Sequence, residues 1–289
     1  MLDPKTLLDW PFKEIVQTYT RRDMALYALG VGYGADPMDE GQLRFVHEED
    51  NLGVPTMPAC MCLSPPWSAD PRSGVDRAMI VHGEQGLELL RPMPASGTFR
   101  SLTRITDIVD KGPGRGAIVY SDSTLIDDAT GEPVAHLWRS TVARADGGFS
   151  NGAAAGSPVP PRTPHKLPDR VPDATCTLQT FPNQALIYRF NGDLNPLHSH
   201  PEAARAAGFD RPILHGLGTY GLVGHAVLRT YCGYDPAKLR ALDVRFSAPV
   251  YPGETVTVEL WRDGEVVSFR AVVEARGAKV IDNGRALLG

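Results

Sequence analysis

The chain has 289 residues, a formal net charge of -5 and 42% hydrophobic residues, which is typical of a globular protein with one large domain or two ordinary ones. Mild acidity without a block of lysine or arginine argues against nucleic acid or a membrane surface as a partner. No apolar run in the sequence is long enough to cross a bilayer.

Signals for a cellular compartment are few. The first residues show neither the basic nor the apolar region of a signal peptide, and Leu287-Leu288-Gly289 is not a peroxisomal address of the Ser-Lys-Leu type. The cysteines follow no disulfide or zinc spacing; they are Cys60, Cys62, Cys176 and Cys232. We therefore expect reduced thiols and a cytoplasmic protein.

The first half of the chain begins with helical patterns and changes to strand patterns. Residues 1–19 predict an amphipathic lead-in, and residues 21–32 predict a helix ended by glycine. Residues 34–80 are rich in proline, glycine and acids, which indicates loops with short helical turns. From Val81 the hydrophobic period becomes two, and turn sequences separate predicted strands at 87–90, 98–109, 116–126 and 133–144. Because no helix intervenes, they predict an antiparallel meander.

A stretch without periodicity divides the chain near its middle, with six prolines between residues 158 and 172. We interpret residues 151–173 as a proline-rich linker between an N-terminal domain, 1–150, and a C-terminal domain, 174–289. In the second half, residues 201–208 predict a short helix, and residues 217–231 predict a long apolar helix whose glycines let it lie close to a sheet. Predicted strands follow at 242–250, 256–260, 266–275 and 279–288.

The two halves resemble each other faintly. Residues 25–33 can be laid on residues 185–193, and Val81-His82-Gly83 echoes Leu214-His215-Gly216. Only ten positions lead from His82 to Pro92, against thirty-four from His215 to Pro249. This pattern predicts a duplication in which the first copy has lost the long helix.

One loop in the second half concentrates polar chemistry. Residues 188–201 read Tyr-Arg-Phe-Asn-Gly-Asp-Leu-Asn-Pro-Leu-His-Ser-His-Pro, and Gly192 and Pro196 constrain its backbone to a bend. Asp193 and His198 form a natural acid–base pair, and Asn195 supplies neutral donors beside them. In the first copy Tyr33 stands where Asp193 would be, so we expect one active site per chain.

Two other interpretations of these motifs are weaker. A metal site made from Asp193, His198 and His200 is disfavoured because the next histidine, His215, begins a different element. Residues 216–221 match the Gly-x-Gly-x-x-Gly dinucleotide pattern by letter, but that site requires a parallel βαβ unit, and an antiparallel meander follows here. For His82 and His215 a purely structural role is as credible as a functional one.

The loop closely resembles the signature of the R-specific 2-enoyl-CoA hydratases, the hydratase 2 or MaoC-like family, and above all the hydratase 2 part of the peroxisomal multifunctional enzyme type 2. The similarity to this family extends over nearly the whole chain, in the segments 26–32, 82–85, 110–112, 208–217 and 244–253. The chain departs from the family pattern at Asn191, where a small serine is usual, and at Ser199-His200, where an aliphatic residue and an aspartate are common. Neither departure removes the acid–base pair.

The resemblance implies an α+β fold, a double hot dog with two antiparallel sheets each packed against helix, the long helix being retained only in the C-terminal half. It implies reversible hydration of a trans-2-enoyl-CoA to a (3R)-3-hydroxyacyl-CoA, without a metal or any cofactor besides the CoA of the substrate. The implied catalytic residues are Asp193, His198 and Asn195. The implied substrate-binding residues are His82, Gly83, Lys111, Leu194, Pro196, Leu197, Gly216 and Phe246.

Other functions remain open at this point. A dehydratase of 3-hydroxyacyl thioesters, acting in polyketide, branched-acid or sterol side-chain metabolism, fits the same residues. A hot dog thioesterase and a non-catalytic acyl-thioester binding module fit the fold, although a binding module has no need of the acid–base pair. Loss of the first long helix predicts a trough for medium, long or branched acyl groups, and the sheet edges of hot dog proteins predict a homodimer.

Overall fold

A computed structural model of the chain describes residues 2–49, 51–150, 155–156 and 164–289. The strands are β1 (Ile15–Tyr19), β2 (Ile80–Leu89), β3 (Gly97–Asp110), β4 (Ala117–Asp127), β5 (Pro133–Ala143), β6 (Ala155–Gly156), β7 (Ala174–Gln179), β8 (Leu239–Phe246), β9 (Thr255–Asp263), β10 (Val266–Val273) and β11 (Ala278–Leu288). The helices are α1 (Pro4–Leu8), α2 (Arg21–Gly30), α3 (Glu40–Leu43), α4 (Gln184–Tyr188), α5 (Pro201–Ala206) and α6 (Gly216–Val227). None of the helices described is long and apolar enough to span a membrane.

The strands form one continuous sheet in the order β1-β3-β4-β5-β2-β8-β11-β10-β9-β7, and β6 adds to the outer side of β3. The two halves of this order are equivalent, because β1, β3, β4, β5 and β2 recur as β7, β9, β10, β11 and β8. Each half has a short helix after its outermost strand, α2 in one and α4 in the other. This repeated order supports the predicted duplication and the predicted double hot dog.

The halves meet where β2 pairs antiparallel with β8, from Glu84 opposite Arg245 to Glu88 opposite Ala241. The indole Nε1 of Trp138 on β5 donates a hydrogen bond of 3.1 Å to the Asp243 carboxylate on β8. This bond passes over Gly86 of β2, where a Cβ atom would stand 1.9 Å from that indole nitrogen. A glycine at position 86 therefore allows a side-chain bond to reinforce the junction of the two halves.

Most predicted helices and strands are confirmed, and their ends differ from the predicted ones by only a few residues. The exception is β2, which begins seven residues before its predicted start. The two edge strands, β1 and β7, were not predicted. In β1 the three central residues are exposed, from Val16 to Thr18, so the alternation that marks a half-buried strand is absent. The long helix of the second half is confirmed as α6, which continues as a π-helical turn over Leu228–Cys232.

The glycines of α6 face the first half of the chain more than the sheet. A Cβ atom at Gly221 would stand 2.4 Å from Val31 and 2.8 Å from the hydroxyl of Tyr27, and one at Gly224 would stand 2.5 Å from Thr56. Contact with the sheet comes instead from larger side chains, such as Tyr220, whose hydroxyl donates to the Leu242 carbonyl at 2.9 Å. The prediction that the glycines serve sheet packing is therefore only partly right.

The echo between His82 and His215 is not a structural equivalence. His82 lies within strand β2, whereas His215 caps the N-terminus of α6. The order of the sheet makes β2 equivalent to β8, so the two histidines occupy different places in the repeat. Three-residue matches of this kind arise by chance, and the strand order is the better guide to the duplication.

The first half has no counterpart of α6 among its described residues. Between α2 and β2 lie α3 and four single 3₁₀ turns, and the turn Met57–Cys60 packs against β2, β5 and α6. This turn occupies part of the space that the missing helix leaves, so a narrow cleft remains where the sequence predicted an open trough. Of the predicted linker, residues 151–154 and 157–163 lie outside the described residues, 155–156 form β6, and residues 164–173 have no regular structure.

Replacing Gly221 with alanine tests the close contact between α6 and the first half. The new methyl group would overlap Val31, so we expect Gly221→Ala to lower the free energy of unfolding by about 1–3 kcal/mol. Gly218→Ala in the same helix is the matched control, because its Cβ would meet its nearest neighbour at 3.4 Å, an ordinary contact. Equal stability of the two variants in urea unfolding would contradict this packing.

Candidate active site

The polar loop is built by two short turns that follow α4. The first turn, Arg189–Asn191, ends at Gly192 with φ of 103°, a left-handed conformation that favours glycine. The side-chain amide of Asn191 donates to the Tyr188 carbonyl at 2.9 Å. Asn191, where the family usually has serine, thus holds the end of this turn.

The second turn, Pro196–His198, presents the histidine of the predicted pair. Asp193 accepts a hydrogen bond from the Asn195 backbone N–H at 3.0 Å, and the Asn195 carboxamide oxygen accepts one from the Leu197 N–H at 3.1 Å. Asn195 is exposed, and its carboxamide forms no hydrogen bond to Asp193 or His198 among the described residues. In this state Asn195 caps the turn, and only its NH₂ group is free to orient a water molecule or a substrate.

His198 is oriented with one nitrogen free. Its Nδ1 lies 2.9 Å from the carbonyl of Ile213, and because a carbonyl only accepts, that nitrogen carries the proton. Burial lowers the pKa of His198 below its ordinary value, while the Ile213 carbonyl and the charge of Asp193 oppose this effect. The ring is therefore neutral at pH 7, and its Nε2 lone pair is available as a base.

His215 completes the cluster, although the sequence left its role undecided. Its Nε2 donates to the backbone carbonyl of Asp193 at 3.1 Å, and its ring stacks on that of His198 with centroids 3.7 Å apart. Burial, and then the neighbouring His198, lower the pKa of His215 to about 3. Its Nδ1 is buried without a hydrogen-bond partner in the described part of the chain. The signals in the sequence were its place in the family block 208–217 and its position directly before the glycine that begins α6.

Asp193, His198 and His215 each place a nitrogen or oxygen within 4.8 Å of the others. His215 thus joins the pair although it begins a different element, so that objection to a metal site does not hold. However, the two imidazole rings are stacked at an interplanar angle of 26°, and the lone pair of each ring lies in its own plane. Lone pairs in stacked planes do not converge on one ion, so the arrangement fits a shared water or substrate better.

The N-terminus of α6 lies beside this cluster. The first backbone N–H groups of a helix have no acceptor within it and carry the positive end of the helix dipole. Gly216 is the first residue of α6, and a Cβ atom there would stand 3.6 Å from the ring of Phe246. The Phe246 ring in turn lies 4.8 Å from that of His82. The fold thus brings Gly216, Phe246 and His82 together beside the Asp193 loop.

The other predicted substrate-binding residues occupy different surroundings. Gly83 lies at a bulge of β2, where a Cβ would stand 2.7 Å from the Ser140 hydroxyl, so close packing alone accounts for this glycine. Lys111 is exposed in the turn between β3 and β4, at the same end of the sheet as Ile80. Around the polar loop, Leu194 is 61% exposed, Pro196 is exposed and Leu197 is half-buried.

Both halves of the chain match known domain families. Residues 17–145 match the MFE-2 hydratase 2 N-terminal domain, and residues 162–284 match the MaoC like domain. The chain belongs to the MaoC-like hydratase 2 family. The resemblance seen in the sequence is therefore confirmed, and in this family member the Asp193 loop lies in the MaoC-like half.

Relatives of this MaoC-like protein cover almost its whole length. A probable enoyl-CoA hydratase 2 of Dictyostelium discoideum is 36% identical over 99% of this chain and 97% of its own. The 3-hydroxyacyl-thioester dehydratase Y of Mycobacterium tuberculosis is 40% identical over 92% of this chain and 91% of its own. The crystal structure of a MaoC-like dehydratase from Phytophthora capsici superposes with a TM-score of 0.86 at 33% identity, covering 100% of this chain and 98% of the other.

The protonation of the two stacked histidines can be measured directly. We expect ¹⁵N NMR to find the proton of His198 on Nδ1 and that of His215 on Nε2, because each of these nitrogens faces a carbonyl. Both rings should titrate below about pH 6.5, the ordinary histidine value. A proton on Nε2 of His198 at pH 7, or titration above that value, would contradict the geometry described here.

Proposed function

We propose that this protein catalyses the reversible hydration of trans-2-enoyl-CoA to (3R)-3-hydroxyacyl-CoA. The observation that carries the proposal is the pairing of Asp193 with a neutral, oriented His198 beside the N-terminus of α6. Enoyl-CoA hydratases are among the relatives that match the chain from end to end. CoA enters as part of the substrate, and the reaction draws both its hydroxide and its proton from water.

Asp193 and His198 hold the reacting water in this mechanism. They form no direct hydrogen bond with each other in the described structure, yet their polar atoms lie within 4.8 Å, a span that a water can bridge. One of the pair removes a proton while the water oxygen forms its bond to C3, and C2 receives a proton on the same face. Which group acts as base and which as acid is a property of the coupled pair.

The helix N-terminus stabilises the charge that develops on the thioester. As hydroxide adds to C3, electrons move through C2 onto the thioester oxygen, and an enolate forms. The backbone N–H of Gly216, supported by the dipole of α6, is the donor that meets this oxygen. Asn195 orients the water through its NH₂ group.

The remaining predicted contacts concern the CoA ester. In this proposal His82, Gly83 and Phe246 bind the thioester and the first part of the acyl chain. Leu194, Pro196 and Leu197 cover the acyl chain from the polar loop. Lys111, exposed at the end of the same sheet, binds a phosphate of CoA.

The alternative is a dehydratase that runs the same chemistry towards the enoyl thioester. A relative named 3-hydroxyacyl-thioester dehydratase Y, 40% identical to this chain, favours it. The same residues serve both directions, since the two reactions share one transition state. Supply of substrate decides which direction dominates.

We also propose a cytoplasmic homodimer. All cysteines of the chain are free and buried, which fits a reducing compartment. The inner edges of the two half-sheets are used within the chain by β2 and β8, so a dimer must form elsewhere. Exposed apolar side chains beside the polar loop, at Leu186, Phe190 and Leu194, offer such a surface. Light scattering after size-exclusion chromatography distinguishes a dimer from a monomer.

An enoyl-CoA assay tests the activity. We expect crotonyl-CoA and longer trans-2-enoyl-CoAs to lose their enoyl absorbance, and chiral analysis to identify the (3R) product. Release of free CoA would point to a thioesterase. The absence of turnover at every chain length, in either direction, would refute the proposed function.

Substitution of the acid–base pair tests the assigned residues. We expect Asp193→Asn and His198→Ala each to lower kcat by at least about 10²–10⁴-fold, and Asn195→Ala to cost less. Asparagine at position 193 can still accept from the Asn195 N–H, so the loop retains its turn. His200→Ala is the matched control, because His200 is exposed only two residues from His198. A near wild-type rate in either variant of the pair would overturn the assignment.

The pH dependence of kcat/KM follows from the buried histidine. The pKa of His198 is lowered by burial, so the neutral ring persists below the ordinary value and is lost only as the pH falls further. We expect the acid limb of the profile to have an apparent pKa below about 6.5. An acid limb above that value would show that protonation of a different group limits the reaction.

A further inference from the structure

The inner face of the first half-sheet carries an unusual set of polar side chains. In the sheet register Arg139 of β5 lies opposite Gln85 of β2 on one side and Ser121 of β4 on the other, so these three side chains point to the same face. Gln85 and Ser121 are each only 3% exposed. This face is the interior of the protein, where aliphatic residues usually line a hot dog sheet.

Arg139 has no charged partner on this face. Its Nε donates to the Ser121 hydroxyl at 3.2 Å, and it forms no ion pair with any residue that the structure describes. Burial lowers the pKa of Arg139 below its ordinary value, although the guanidinium remains charged at neutral pH. A half-buried guanidinium loses hydration without the compensation of a carboxylate, which is costly unless a ligand supplies one.

The guanidinium borders a narrow cleft. The cleft lies between the sheet and the chain segment that follows the 3₁₀ turn Met57–Cys60. Its interior is narrow, about 30 Å³, and it opens to solvent. Met61, Leu63 and Leu137 contribute apolar groups to the cleft, and its polar lining comprises Gln85, Thr103, Ser121, Asp122, Ser123, Trp138 and Arg139. Asp122 follows Ser121 on β4, so its carboxylate points to the opposite face of the sheet, and Arg139 is the cation on the inner face.

The cleft lies close to the candidate active site along β2. His82 pairs with Thr141, two residues from Arg139 on the same face of β5. Burial lowers the pKa of His82 to about 3, and the charge of Arg139 acts in the same direction while that of Asp193 opposes it. His82 thus lies within electrostatic range of both groups, and its ring contacts Phe246 beside Gly216.

We propose that the cleft receives the terminal carboxylate of an acyl chain that runs along β2 from the candidate active site, and that Arg139 binds this carboxylate. The preferred substrates are then trans-2-enoyl-CoAs with a second, anionic end, such as those derived from dicarboxylic acids. This inference rests on the proposed function. The planar guanidinium, with Nε held by Ser121, leaves its terminal N–H groups for a carboxylate, a geometry that lysine does not reproduce.

The test compares two matched series of trans-2-enoyl-CoAs with six to twelve carbons, one ending in a methyl group and the other in a carboxylate. We expect the wild type to prefer the carboxylate at one chain length by about 10- to 100-fold in kcat/KM. Arg139→Met should abolish that preference while retaining turnover of the methyl series. Arg139→Lys should retain part of it. Arg104→Met, which removes an exposed arginine on the other face of β3, is the matched control and should change neither series.

Calorimetry of the binding of saturated acyl-CoA analogues, with and without the terminal carboxylate, tests the inference about Arg139 independently of turnover. If the wild type binds the carboxylated acyl-CoA more tightly than the methyl-ended one, and Arg139→Met loses this difference, the inference about Arg139 is supported. This holds even if no enoyl-CoA is hydrated, and in that case only the proposed function fails. The inference is overturned if the wild type shows no preference for the carboxylated ligand at any acyl chain length. It is also overturned if Arg139→Met retains that preference. Equal weakening of both series in Arg139→Met would also overturn it, since Arg139 would then contact the CoA moiety common to both.

Discussion

The antiparallel pairing of β2 with β8 is the constraint on which the rest of the structure depends. In this pairing the backbone N–H and C=O groups along the inner edges of the two half-sheets form hydrogen bonds with each other. A single chain therefore forms a continuous sheet that two separate half-sheet chains would otherwise have to form together. The junction carries the Trp138–Asp243 bond across Gly86 and positions the first half against α6. With this register fixed, the ring of His82 on β2 contacts that of Phe246 on β8, and the candidate active site draws residues from both halves.

The duplicated halves have diverged into different tasks. The second half keeps α6 and the loop with Asp193 and His198, and it presents a helix N-terminus to the same point. In the first half a 3₁₀ turn, Met57–Cys60, occupies part of the corresponding space and leaves a cleft. In the proposed mechanism one half therefore supplies the groups that move protons, while the other shapes the space beside them, and the proposed role of Arg139 gives this space a chemical preference.

Hydrogen bonds to backbone carbonyls fix the tautomers of the two histidines in the candidate site before any substrate binds. The carbonyls of Ile213 and Asp193 select one tautomer each for His198 and His215, and burial keeps both rings neutral by lowering their pKa. Charged rings stacked at 3.7 Å would repel each other. A neutral stack leaves a nitrogen lone pair on each ring, which suits the proposed exchange of a proton with water.

Local chemistry in the sequence was enough to predict much of this protein. Three predicted features depend only on residues close together in the sequence: the bend at Gly192 and Pro196, the acid–base pair, and the strands with clear alternation. The segments that resemble the family then predicted the fold. Only the tertiary structure decided that His215 joins Asp193 and that the glycines of α6 face Val31 and Thr56. It also decided that Arg139 lies beside a cleft without an ion pair to any described residue. These contacts join residues far apart in the chain, and the period of a strand or helix indicates which residues share a face but not what that face will meet.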